Sequence, residues 1–124
     1  MSTPSGSRLV IAMIGACALG GCAKSKQAAQ IELIECAAFQ SAIPQSLWET
    51  IYKELRAGGV EPVAIQPIPV LANAYTVKFD RAEVAARWNK GLTAGKTSVE
   101  KADARGIAKY LKSCVGTLHD ALRS

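Results

Sequence analysis

The sequence predicts a small α+β domain, mostly helical, with one two-stranded β element. Three observations predict it. Apolar residues recur at steps of three and four over 47–57 and again over 107–122, the spacing of an amphipathic helix. Residues 74–79 alternate apolar and polar, as a half-buried strand does. Residues 60–71 carry Pro62, Pro67 and Pro69, each without a backbone donor, and read as an extended edge able to pair with that strand.

The elements follow in order over residues 31–124. Gln30–Ile43 is apolar without a clean period. Its alanines and Glu32/Glu35 favour helix, while the alternation of Ile31 and Leu33 leaves strand open. Ser46-Leu47-Trp48-Glu49 has a capping-box pattern, so a helix is expected over about 47–57, with Leu47, Ile51 and Leu55 as its stripe. Trp48 and Tyr52 widen that stripe, and Gly58-Gly59 stops the helix. Val60–Leu71 and Ala74–Phe79 are the expected strands, joined by a turn at Ala72-Asn73. Asp80-Arg81-Ala82-Glu83 repeats the capping logic and opens a helix to about Lys90 that buries Val84 and Trp88. Gly91–Thr97 reads as a loop. Thr97 or Ser98 then caps a last helix whose stripe is Ile107, Leu111, Cys114, Leu118 and Leu122. Gly106 would weaken that helix locally or admit a close neighbour.

The N-terminus has a different character. Met1–Arg8 is polar with one positive charge, and Leu9–Gly21 is an unbroken run of 13 apolar or glycine residues. That length suits the apolar core of an export signal, roughly 7–15 residues, and falls short of the roughly 18 needed to span a membrane. The run closes on Leu19-Gly20-Gly21-Cys22, which resembles the lipobox of bacterial lipoproteins. In that family the Cys sulfur receives a diacylglycerol, the chain is cut just before the Cys, and the Cys becomes an acylated first residue. The resemblance implies a signal peptide over 1–21, lipidation at Cys22 with palmitate-type chains, and a short tether over 22–30. Ala23 is not the Asp that retains such proteins at the inner membrane, so the resemblance implies the outer membrane of a cell that has one, facing the periplasm. Ile14-Gly15-Ala16-Cys17 is a second match with a shorter apolar run; an ordinary cleaved signal and an uncleaved anchor are the rival readings.

Charge is unevenly placed. Residues 22–77 hold four basic and five acidic side chains, while 78–124 hold ten basic and five acidic. Solvated helix faces account for this; anionic headgroups or an acidic partner would also suit it. No basic cluster is interleaved with aromatics, which argues against nucleic acid. Past the signal only Cys36 and Cys114 remain. An oxidising compartment favours one disulfide between them, worth on the order of 4 kcal/mol for so long a loop. Two buried thiols or a bond to another chain are the alternatives.

No catalytic residue is assigned. Gly91-Leu-Thr-Ala-Gly95-Lys96-Thr97 superficially resembles a phosphate-binding loop, but its spacer is three residues rather than four and a helix precedes it. His119 stands alone, and its neighbour Asp120 points elsewhere on the helix. Two cysteines and one histidine match no zinc pattern, so neither metal nor cofactor is expected. Glu32/Glu35 and Glu100/Asp103 are carboxylate pairs at i,i+3, the chemistry of a glycosidase, without an aromatic groove beside them. Trp48, Tyr52 and Trp88 are either core or a partner-binding patch. The expectation is therefore a non-enzymatic, lipid-anchored binding or scaffold subunit with a protein partner in the envelope, such as a component of a secretion or conjugation machine. A phage lysis or exclusion lipoprotein is the alternative: Cys36-Ala-Ala-Phe39 with Ile43 resembles small phage lysis proteins over fewer than ten residues. An envelope hydrolase is the third reading.

Overall fold

The first long helix begins where the tether was expected. The computed structural model describes residues 25–123. Ser25 accepts a hydrogen bond from the Ala28 amide at 3.1 Å and caps α1, Lys26–Ser41. Four more α-helices follow: α2 (Trp48–Ala57), α3 (Pro67–Tyr75), α4 (Arg81–Glu100) and α5 (Ala104–Leu122). Short 3-10 turns at Gln45–Leu47, Pro62–Ile65 and Thr76–Lys78 link them. Helix α1 is the hub. It packs against α3, α4 and α5, while α2 lies on α5. Its uneven hydrophobic pattern now has a cause: neighbours on three sides bury Ala29 through Phe39 almost without interruption.

The expected two-stranded element is absent, and the α+β class is corrected to all-helical: no strand occurs among the described residues. The prolines explain the misreading. Pro67 and Pro69 lie in the first turn of α3, where backbone N–H groups have no intrahelical acceptor, so losing a donor there costs little. Pro62 opens a 3-10 turn on the same logic. The alternation over 74–79 is incidental, because Tyr75 is buried while Val77 is 88% exposed. The extended edge expected over 60–71 is therefore not found.

The boundaries of α4 and α5 are corrected too. Gly91–Thr97 is not a loop; it is the middle of α4. Gly91 and Gly95 are the two buried residues of that helix. A Cβ on Gly91 would overlap the Glu35 carbonyl oxygen, and one on Gly95 would lie 2.8 Å from the Phe39 carbonyl oxygen and from Ala42 Cβ. The glycines thus let α4 press its backbone on α1, and the pairing of 35 with 91 and 39 with 95 shows that the two helices run in the same direction. The break falls at Lys101–Asp103, where Ala102 takes a left-handed φ of 50°. Asp103, rather than Thr97 or Ser98, caps α5: its Oδ1 accepts from the Gly106 amide at 2.9 Å. Gly106 sits in the first turn against that carboxylate, so it serves the cap instead of weakening a helix centre.

Cys36 on α1 and Cys114 on α5 are joined through their sulfurs, with Cα atoms 6.0 Å apart. Around them Leu33, Phe39, Ile51, Leu55, Ile68, Ile107 and Leu111 are fully buried. Among the described residues the core runs from Ala29 on α1 to Ala121 on α5. Ala121 takes the place on the α5 stripe expected for Leu122, which is 55% exposed. Ser46 does not cap α2; Pro44 and the Gln45–Leu47 turn lead into it.

Candidate functional site

Helices α3 and α4 stand on α1 without closing over it. Between them lies an open groove of about 1080 Å³, floored by Ile34, Ala37 and Ser41 of α1. One wall is α4, which presents Arg81, Val84, Ala85, Trp88 and Asn89. These fall at steps of three, one, three and one, a single helical face. The other wall is α3 with its following turn, through Ala72, Asn73, Thr76 and Val77. Trp48 and Phe79 complete the lining. Small side chains on all three helices keep the space open. The volume is at the top of the range of roughly 300–1,000 Å³ typical of small-molecule pockets.

The lining is mainly apolar. Val77 is almost wholly in water and Trp88 is 39% exposed, so apolar surface is left uncovered here. Among the described residues, Arg81 is the one charged side chain of the lining, and it has no carboxylate partner there. Gln40 donates from Nε2 to the Ile65 carbonyl at 3.4 Å, while its buried Oε1 has no hydrogen-bond partner. Both tryptophans of the chain border this groove. Tyr52 does not; its ring packs beside Trp48 with centroids 5.5 Å apart. Trp88, expected to be buried, stands 39% exposed on the wall, while Val84 is partly buried against the core and also lines the groove.

The carboxylate pairs have other work. Glu35 is 8% exposed on α1. It accepts from Arg87 Nη1 at 3.2 Å and from the Tyr110 hydroxyl at 3.3 Å, with Lys90 Nζ at 3.8 Å. Glu32 accepts from the Thr117 hydroxyl at 3.1 Å. These contacts tie α1 to α4 and α5. Burial, with the nearby Glu35 charge, pushes the Tyr110 hydroxyl above the ordinary tyrosine range. Asp103 caps α5, Glu100 is exposed at the end of α4, and His119 is exposed in the last turn of α5. The structure therefore brings none of Glu100, Asp103 and His119 into the groove. Among the described residues no group of three or more His, Cys, Asp or Glu is placed to hold a metal ion, and no helix is long and apolar enough to cross a membrane. The lipobox and Cys22 lie outside the described residues.

Sequence reasoning missed the groove because it is made by spacing between helices, not by a motif. One signal was legible: the face Arg81, Val84, Ala85, Trp88 is apolar at one edge of a helix that otherwise buries only glycines. Compared with known protein families, with curated proteins and with solved structures, the chain matches none.

Proposed function

We propose that the protein is a lipid-anchored binding subunit of the bacterial cell envelope, which holds its ligand in the groove between α3 and α4. In this reading residues 1–21 are a cleaved signal, Cys22 carries the acyl chains, and the bundle faces the periplasm from the outer membrane. The groove is the observation that carries the binding half of the proposal: a mainly apolar cleft with two tryptophans on its border and one cation in its lining. The lipobox carries the anchoring half. A disulfide across α1 and α5 suits an oxidising compartment. Only Ala23 and Lys24 lie between Cys22 and the α1 cap, Ser25, and those three residue steps span at most about 10–11 Å, so an anchored bundle works against the bilayer surface.

Intact mass of protein extracted from membranes tests the anchor. The expected mass is that of the chain from Cys22 plus acyl groups, with the small gain of a reduced disulfide after treatment with reductant. The mass of the whole unmodified chain would overturn the anchored reading.

A further inference from the structure

The groove has the chemistry of an amphiphile site. Its floor and walls offer aliphatic and aromatic surface along two helices, and its one lining charge is positive. Arg81 stands in the first turn of α4, and Lys78 follows the same connection, its ammonium 5.6 Å from the centre of the Tyr75 ring. Asp80 and Glu83 lie near Arg81 in sequence but do not line the groove. Because α1 and α4 run in the same direction, Arg81 lies toward the end of the groove opposite Ser41. A molecule with a long apolar tail and one anionic head matches this layout: tail along the cleft, head at Arg81. An extended peptide matches less well, since every wall is helical and no open strand edge supplies a row of backbone partners. Tryptophans flanking an apolar slot are also the side chains that favour the membrane–water boundary.

We propose that the groove binds an anionic membrane phospholipid, with an acyl chain between α3 and α4 and the phosphate paired with Arg81. The choice of a bilayer lipid rests on the anchored reading above, which places the groove within reach of headgroups. Arg81 supplies a planar, permanently charged donor suited to two phosphate oxygens. The apolar lining supplies the tail contacts, and covering Val77 and Trp88 removes surface that water otherwise meets.

The chain carries its own reporters, because Trp48 and Trp88 are its two tryptophans and both line the groove. The test uses the chain with Cys22→Ser, which removes the lipidation site and keeps every described residue. Lysophosphatidylglycerol with a brominated chain is titrated below its micellar concentration, and bromine quenches the indoles that it touches. Saturable quenching of both tryptophans is expected. Binding is expected to weaken about tenfold or more with lysophosphatidylcholine, and likewise with Arg81→Glu. Ala85→Phe on α4 and Asn73→Phe on α3, both at exposed positions, each fill the cleft and should abolish quenching while the far-UV spectrum is kept. Equal affinity for the two headgroups, no quenching, or quenching unchanged by both filling variants would each overturn the proposal. The lipidated protein from membranes provides a further arm. If its tryptophans are already shielded, it takes up no probe and no phospholipid co-extracts with it, the groove holds the anchor's own acyl chain, and the proposal for a bilayer phospholipid is overturned. Failure of the anchor alone shows in the mass experiment and leaves the titration intact, so the two readings fail separately.

Discussion

The seam between α1 and α5 and the seam between α1 and α4 use opposite means to join two helices. Along α1–α5, bulky side chains interlock: Leu33, Phe39, Leu111 and Leu118 are buried, and Phe39 stacks on Tyr110 with ring centroids 3.8 Å apart. The disulfide and a hydrogen bond from Gln30 Nε2 to the Ala121 carbonyl tie the same pair. Along α1–α4, two glycines bring the backbones together, and the α4 side chains packed on the core, Val84, Ala94 and Val99, are only partly buried. Exposed Lys90 and partly buried Arg87 reach across to the buried Glu35 carboxylate, a polar tie rather than an apolar interlock. From Arg81 to Lys90 the helix has no fully buried residue. A helix held tightly over two turns can leave its other half standing as a wall. The comparison teaches where stability resides and where surface is left for binding.

The largest expected effect lies on the bulky seam. Phe39 is 1% exposed, so Phe39→Ala should cost about 3–5 kcal/mol, read as a lowered midpoint in guanidinium chloride. A loss below about 1 kcal/mol would mean that the stacked pair is not central to the core. The glycine seam makes a sharper test, because sign as well as size is at stake. Gly91→Ala puts a methyl group into the Glu35 carbonyl and should destabilise by about 1–3 kcal/mol. Gly116→Ala, in the middle of α5 with nothing near its Cβ position, should instead stabilise by about 0.5–1 kcal/mol. Hydrogen exchange should show Gly91→Ala loosening α4 while α1 and α5 amides stay protected. Equal signs for the two substitutions would erase the distinction between the seams.

The sequence was legible where one element decides its own structure. Ile51 and Leu55 on α2, and Ile107, Leu111, Cys114 and Leu118 on α5, were readable because a 3.6-residue period needs no knowledge of the neighbour. The pairing of Cys36 with Cys114 was open to simple counting. Other features depended on partners. Proline without a donor suits an edge strand and the first turn of a helix equally, and only packing on α1 decides for α3. Glycine at 91 and 95 suits a loop until another backbone is known to lie against it. The groove was hidden for the same reason, since Ala37, Ala72 and Ala85 are unremarkable singly and leave space only when brought together.

A smaller effect separates the seams by pH. Burial and Glu35 raise Tyr110 above the ordinary tyrosine value near 10. For a group whose charged form is the deprotonated one, a raised folded-state pKa contributes stability that is present below the unfolded value and lost as pH rises past it. The folded chain then keeps a proton that the unfolded chain releases, so stability should fall with pH above about 10. Denaturant midpoints of the native chain and Tyr110→Phe, compared between neutral pH and pH above that value, isolate this residue from other titrating groups. The difference between the two chains should shift against the native one at high pH. A difference independent of pH would show that burial beside Glu35 does not raise the Tyr110 hydroxyl.

The smallest stability effect is expected at Trp88, and its smallness is the informative part. Trp88 is as large as any side chain in the core, yet it is 39% exposed on the free half of α4. If that half is a wall and not part of the core, Trp88→Ala should change stability by no more than about 1 kcal/mol, in the range of ordinary surface substitutions. Trp48 emission and circular dichroism, followed through a urea titration, would measure it. A cost approaching that of Phe39→Ala would mean that residues 81–90 are docked as firmly as the α1–α5 seam, and the contrast between the two seams would collapse. A large apolar ring that contributes little to folding leaves its burial free energy unspent in the isolated chain. That free energy is then available to whatever covers the groove, so the same substitution should weaken lipid uptake reported by Trp48 far more than it weakens the fold.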